Sequence, residues 1–135
     1  MDFIPQIEPW IDETELEELT GVIQSTFITE NKKTDEFLEK VRGLTGSNEA
    51  IATSNGTLAI VSALLASGIG PGDEVIIPDL TFIASSNAVI MVGAKPVFCD
   101  VYRETGCIDI EAARACITDK TKVIMPVHLY GQTVE

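Results

Sequence analysis

The sequence is short of base. Nine lysines and arginines stand against 21 aspartates and glutamates, a formal net charge of −12. Residues 1–50 hold twelve acids and four bases, and residues 51–135 hold nine acids and five bases. Such a surface repels phosphate backbones and anionic lipid heads, so neither nucleic acid nor a membrane surface is an expected partner. A small anion is not excluded, because the backbone N–H groups at a helix start bind one without a basic side chain. Cysteine is sparse too: Cys99, Cys107 and Cys116 form neither a C-x-x-C pair nor an even disulfide framework. Free thiols in a reducing compartment are the simpler reading. The lone histidine, His128, has no second metal ligand at a recognisable spacing. No apolar run reaches the ~18–20 residues of a membrane span. The opening Met1–Pro5 has no basic start and no apolar core, so no signal peptide is expected. These absences together predict a cytoplasmic protein.

What remains is ordinary globular composition, 45% hydrophobic and 22% charged, in 135 residues. That length supports one small domain with a core, not two. Residues 1–45 read as an N-terminal helical segment. Asp12–Gln24 begins with an acidic turn and carries Leu16, Leu19, Val22 and Ile23 at helical spacing. A second helix is predicted from Thr34, as N-cap, to Gly43, as C-cap.

From residue 46 the rhythm changes to short β-rich runs between helical stretches. Strands are predicted at Glu49–Thr53, Glu74–Pro78, Pro96–Val101 and Lys122–Leu129. Helices are predicted from Gly56 to about Ser67, from Phe82 to Val92 and from Asp109 to Ile117. Strand–helix alternation at this spacing indicates βαβ units in a parallel sheet, an α/β fold. The helix after Gly56 is apolar nearly all round, as for a helix sandwiched inside a larger body. A four-strand sheet whose last strand has no covering helix suggests part of something longer.

Ligands of open parallel sheets collect beyond the carboxyl ends of the strands. Four segments belong there: Ser54–Thr57, Asp79–Phe82, Val101–Glu104 and His128–Gln132. In the first, Gly56 permits close approach, and the N–H groups of Gly56, Thr57 and Leu58 lie in the first helical turn. Together with the Thr57 hydroxyl they could hold a phosphate. The same tetrapeptide also reads as a plain capping turn with Ser or Thr as the cap. It matches neither G-x-G-x-x-G nor a Walker loop, so nucleotide binding by those schemes is disfavoured. Phe82 could stack on a planar ring or simply be core. A lone histidine such as His128 is usually structural, and Asp100 is as readily a helix cap or turn former as a ligand-binding group. No serine or cysteine has a base and orienter at the spacing of a catalytic triad.

These pieces, in this order, resemble the DegT family of pyridoxal-phosphate (PLP) enzymes. Most of that family are aminotransferases acting on keto sugars attached to nucleotides. The matching runs are Ser54–Ala59, Gly68–Ile76, Pro78–Ala84, Asn87–Val89, Val92–Phe98, Asp100–Val101 and Pro126–Gln132, collinear over about residues 50–132. The resemblance implies that residues 46–135 are the parallel-sheet N-terminal half of the large domain of a fold-type-I PLP-dependent transferase. It implies that the Gly56–Thr57 turn, with Leu58 and the flanking Ser54 and Asn55, holds the PLP phosphate. It further implies that Phe82 stacks on the pyridine, with His128 a further candidate at the rim.

The family's aspartate facing the pyridine nitrogen, and its lysine that holds the aldehyde, come later than the matched segment. No lysine present substitutes for the latter. Lys95, Lys120 and Lys122 belong at the amino ends of strands, and Lys32, Lys33 and Lys40 lie in the acidic N-terminal segment as solvated surface. The implied partners of an intact enzyme are a nucleotide-linked keto sugar, an amino donor such as glutamate, and a second copy in a homodimer. Two other readings stand beside this one. One is a sugar dehydratase of the same fold. The other is a non-catalytic short protein that binds a phosphorylated ligand or a full-length homologue.

Overall fold

The computed structural model describes residues 3–135. Met1 and Asp2, the start of the segment read as lacking a signal peptide, lie outside the described residues. The chain divides into two compact units, 1–52 and 53–135.

The first unit carries two helices, α1 (Glu13–Ser25) and α2 (Lys32–Thr45). Asp12 caps α1 by accepting from Thr14 N–H at 2.8 Å, while the Glu15 carboxylate takes the Asp12 N–H at 2.8 Å. That reciprocal box is why the helix begins at the first acidic turn. The second helix is longer than the sequence suggests at both ends. Asn31, not Thr34, is the N-cap and accepts from Lys32 N–H at 2.6 Å. The Asn31 side chain reaches the free Lys32 amide, two residues before Thr34, and the intervening lysines are good helix formers. Gly43 sits inside the helix, which ends at Gly46 with φ +69°. Between strong helix formers a glycine costs only about 1 kcal/mol, and the left-handed turn waits for the next one.

The second unit is a three-stranded, wholly parallel sheet in the order β2-β1-β3. Its elements are α3 (Gly56–Ala66), β1 (Glu74–Pro78), α4 (Ala84–Met91), β2 (Lys95–Cys99), α5 (Ile110–Ala115) and β3 (Thr121–Ile124). Central β1 is buried at every residue: Val75–Pro78 are apolar, as a strand between two neighbours should be, and Glu74 at its start is buried with polar partners. Its period of two feeds two cores. Val75 and Ile77 join Leu64 and Ile69 at the α3 end with Ala88, Val89 and Val92 at the α4 end, and Val123 packs against them. Ile76, on the other face, meets Cys99, Ile108 and Ala113 of the α5 side. Helices therefore cover both faces, with β1 in the middle. Burial in the second cluster pushes the Cys99 thiol up to about 11, assisted by Cys116 and nearby carboxylates, so it stays protonated at neutral pH.

The Glu49–Thr53 segment is not a strand. A strand is completed by a neighbour's N–H and C=O groups, and among the described residues none pairs with it. The sheet accordingly has three strands, not four. β2 ends at Cys99, before the predicted Val101, because Asp100 turns the chain. Its Oδ1 accepts from Val101 N–H at 2.8 Å, and Val101 bridges antiparallel to Ile108. β3 stops at Ile124, followed by one more ladder bond from Met125 N–H to Ile76 O at 2.8 Å. Pro126 then has no N–H to give, which ends the pairing at Met125, four residues short of the predicted Leu129. Phe82 stands two residues ahead of α4 rather than within it. α3 rests on the sheet through Ile60, Val61 and Leu64, while Leu58 and Leu65 are exposed. No helix among the described residues is long and apolar enough to cross a membrane.

Candidate functional site

Topology decides which end of the sheet can hold a ligand. α3 runs into a turn, Gly70–Asp73, that delivers the chain to the start of β1. Eleven helical residues and five extended ones have nearly the same length, about 16 Å, so the head of α3 lies level with the carboxyl end of β1. Three other loops meet at that end. A Cβ placed on Gly106, in the turn after β2, would lie 3.5 Å from Leu80 after β1 and 3.8 Å from Leu129 after β3. A groove of about 510 Å³ then runs along β3, bordered by Ile60 of α3, Ser85 of α4 and His128, with Met125 and Val127 between them.

At the head of α3 the cap is Asn55, not the expected Ser or Thr. Its Oδ1 accepts from Leu58 N–H at 3.0 Å, and its carbonyl accepts from Ala59 N–H at 3.1 Å. Leu58 is thereby removed from the set of free donors that the sequence suggested. Gly56 and Thr57 remain: no group among the described residues accepts from their N–H groups. Two converging amides at the positive end of a helix are a fit for one anionic oxygen or two.

Gly56 is informative for another reason. A Cβ built there meets nothing within 4 Å, and its φ lies outside the left-handed region. The fold of the described residues therefore has no need for glycine at this position. A side chain there would enter open space at the head of α3, where the two unengaged amides stand. The residues present fit a phosphate on that ground.

Phe82 is 73% exposed at the same rim, so it is not core. Its carbonyl accepts from Ser85 N–H at 3.1 Å, which holds the turn ahead of α4. Ser85 went unnoticed in the sequence, although two serines inside an apolar helix were a signal. It is buried, and its hydroxyl is bonded to that of Thr81 at 2.9 Å. His128 is exposed, and its Nδ1 accepts from Val134 N–H at 3.0 Å. Asp100 spends its carboxylate on Val101 N–H and its carbonyl on Asp109 N–H, a turn-building role. Among the described residues no hydrogen bond involves the Ser54 side chain, whereas Thr53 donates its hydroxyl to Asn55 O at 3.1 Å and stiffens the approach to the cap.

The lysines of this unit lie at the opposite end. Lys95 is the first residue of β2, Lys120 directly precedes β3, and Lys122 is its second residue. Lys95 is further engaged by Glu74 at 2.9 Å. Among the described residues no group of three His, Cys, Asp or Glu is placed to hold a metal.

Residues 9–135 match the profile of the DegT/DnrJ/EryC1/StrS aminotransferase family. The chain belongs to that family. It is 37% identical over 134 residues to the UDP-4-amino-4-deoxy-L-arabinose–oxoglutarate aminotransferase of Shewanella sediminis, an alignment covering 99% of this chain and 34% of the relative. With the GDP-perosamine synthase of Caulobacter vibrioides it shares 43% identity over 136 residues, 98% of this chain and 37% of the relative. Among solved structures it is similar to Spr1654 of Streptococcus pneumoniae, assigned as a sugar aminotransferase, at 36% identity and a TM-score of 0.91 in its PMP form. That match covers 98% of this chain and 33% of the other, and the PLP form superposes equally well. The chain thus spans about a third of the length of the relatives it matches. As a member of the DegT family it has the α/β architecture of a PLP-dependent aminotransferase, here a parallel sheet preceded by helices.

Proposed function

We propose that this chain supplies the phosphate-gripping part of the cofactor site of a PLP-dependent aminotransferase acting on a nucleotide-linked keto sugar. In this reading residues 1–45 are its helical N-terminal segment, and residues 46–135 are the N-terminal half of its PLP-binding large domain. The observation that carries the proposal is the head of α3. Gly56 and Thr57 offer two unengaged N–H donors, with a glycine that nothing in the described fold demands.

The N–H groups of Gly56 and Thr57 take the phosphate, and the Thr57 hydroxyl is a third donor. Asn55 orders that turn by capping Leu58, and Ser54 leads into it. Phe82 lies against the ring as an apolar wall from the α4 side. When bound, PLP serves as the carrier that takes an amino group from a donor and passes it to a carbonyl. The aldehyde-holding lysine has no candidate here, because Lys95, Lys120 and Lys122 stand at the amino ends of their strands. The isolated chain is therefore inactive in transamination. Relatives named for UDP- and GDP-linked sugars support the substrate class, and one named for oxoglutarate supports glutamate as donor. Assembly as a homodimer and a cytoplasmic location complete the reading.

The test is a PLP titration followed by absorption spectroscopy, with and without borohydride. Saturable binding that inorganic phosphate displaces, and no adduct concentrated on one lysine after reduction, is the expected result. A reduced adduct mapping to a single lysine would overturn the assignment of that group to residues outside this chain. Binding indifferent to inorganic phosphate would overturn the role of the α3 turn.

A further inference from the structure

His128 is the single histidine of the chain, and the turn after β3 is folded around it. Residues Leu129–Gly131 form one 3-10 turn with Tyr130 at φ +53° and Gly131 at φ +81°. A left-handed tyrosine is a strained conformation that persists only where its surroundings hold it. Here the surroundings are visible. Cys107 donates its thiol to Gln132 O at 3.5 Å, and Val134 packs against the core of Ile76, Cys99 and Ile108. The chain so doubled back delivers the Val134 N–H to His128 Nδ1 at 3.0 Å.

That bond has a chemical consequence. A backbone N–H can only donate, so Nδ1 must be the acceptor and carry no proton. The neutral imidazole is then the Nε2–H tautomer, with its one donor on the far side of the ring. The same imidazole borders the groove shared with Ile60, one turn into α3 from Gly56, and Ser85 in the first turn of α4. A ring whose tautomer is fixed by backbone, at the rim where two helix heads converge, is built to give one hydrogen bond.

We propose that His128 is a tautomer-locked binding donor. The 129–134 turn holds it as Nε2–H, and Nε2–H donates to an acceptor oxygen of the phosphorylated ligand held at the head of α3. The ligand half of this statement rests on the PLP reading above; the tautomer half does not.

The test uses the 135-residue chain labelled with 15N, in which a long-range 1H–15N spectrum reports one imidazole only. The pH is held well above the ordinary histidine value of about 6.5. The expected spectrum shows a protonated Nε2 and a bare Nδ1. Val134→Ile, which keeps both the N–H and an apolar side chain against the core, leaves it unchanged, and Val134→Pro, which removes the N–H, gives an averaged tautomer pattern. A protonated Nδ1 or an averaged ring in the unaltered chain overturns the lock.

PLP and inorganic phosphate are then added separately. A shift of Nε2 with either supports the donor, and the probe that causes it shows whether the acceptor is a phosphate oxygen or lies on the ring. PLP bound by its visible absorption with Nε2 unmoved overturns the donor role while leaving the cofactor reading intact. Absence of PLP binding overturns both the cofactor reading and the ligand half of this one, and the lock is still judged by the first spectrum. Among variants, His128→Gln keeps a donor where Nε2 was and holds PLP within about twofold. His128→Asn keeps only the acceptor for Val134 and binds roughly fivefold more weakly, the equivalent of one lost hydrogen bond. Equal binding by the two variants overturns the donor.

Discussion

The Asn55 side chain takes the Leu58 N–H at 3.0 Å, and this one bond sorts the donors at the head of α3 into used and unused. It also separates two functions that substitution can tell apart. Asn55→Ala loses the cap and destabilises the fold by about 1 kcal/mol. Asn55→Asp keeps the cap, and a carboxylate at a helix start preserves or raises stability. That same negative charge faces the place assigned to a phosphate, so PLP binding falls about tenfold or more although the fold is intact. Thermal melts by circular dichroism and PLP titrations on both variants check this. Normal PLP affinity in Asn55→Asp would remove the phosphate from the α3 turn.

Gly56→Ala makes the complementary case. Nothing within 4 Å obstructs the added methyl, and the backbone there is accessible to any residue. Replacing glycine at such a site stabilises by roughly 0.4–1 kcal/mol through the unfolded chain. If the phosphate is held by the Gly56 and Thr57 amides, the methyl nevertheless crowds its approach to that backbone. A gain in urea midpoint together with weakened PLP or phosphate binding is the expected pair of results. A gain in both would mean that no ligand approaches this backbone.

Phe82, 73% exposed, contributes little to the fold of the described residues. Phe82→Ala therefore changes stability by no more than about 0.5 kcal/mol. If the ring stacks on a bound heterocycle, the loss on binding is roughly 0.5–1.5 kcal/mol, a two- to tenfold weaker Kd. Phe82→Tyr keeps a face to stack and holds affinity near that of the unaltered chain. Fluorescence or absorbance titration of PLP measures all three proteins.

Much of this was legible in the residue order. The α3–β1–α4–β2 succession follows from apolar runs broken by Gly70-Pro71-Gly72-Asp73 and Gly93, and the structure places those breaks as turns. The amino-end position of Lys95, Lys120 and Lys122 was equally readable, because each adjoins the first residue of a β-rich run. What the sequence could not show were relations across space. Glu49–Thr53 has the composition of a strand, but strand identity belongs to a pair, and no described residue pairs with it. Asn31 beat Thr34, and Asn55 beat Ser54, because capping depends on which side chain reaches a free N–H. The Val134–His128 bond depends on a turn with a left-handed tyrosine, a conformation that no propensity scale favours.

Glu74 ties the amino end of the sheet together, opposite the site. It is the first residue of β1 and is almost wholly buried. One carboxylate oxygen accepts from Thr118 Oγ1 at 2.6 Å and the other from Lys95 Nζ at 2.9 Å. The Thr118 hydrogen bond, and after it the Lys95 ammonium, hold this carboxyl below the ordinary glutamate value of 4.5. A folded-state value below the unfolded one means the unfolded chain binds the proton more readily. The stabilisation is therefore complete above the unfolded value and is lost as pH falls through the folded one. Glu74→Gln removes the titrating group, and its amide can still meet Thr118 but no longer neutralises Lys95. Urea unfolding followed at pH 7 and again near pH 4 should show the midpoint of the unaltered chain falling more steeply than that of Glu74→Gln. Parallel falls in the two proteins would mean that other carboxylates carry the acid sensitivity, and that the Glu74 contacts persist when its carboxyl is protonated.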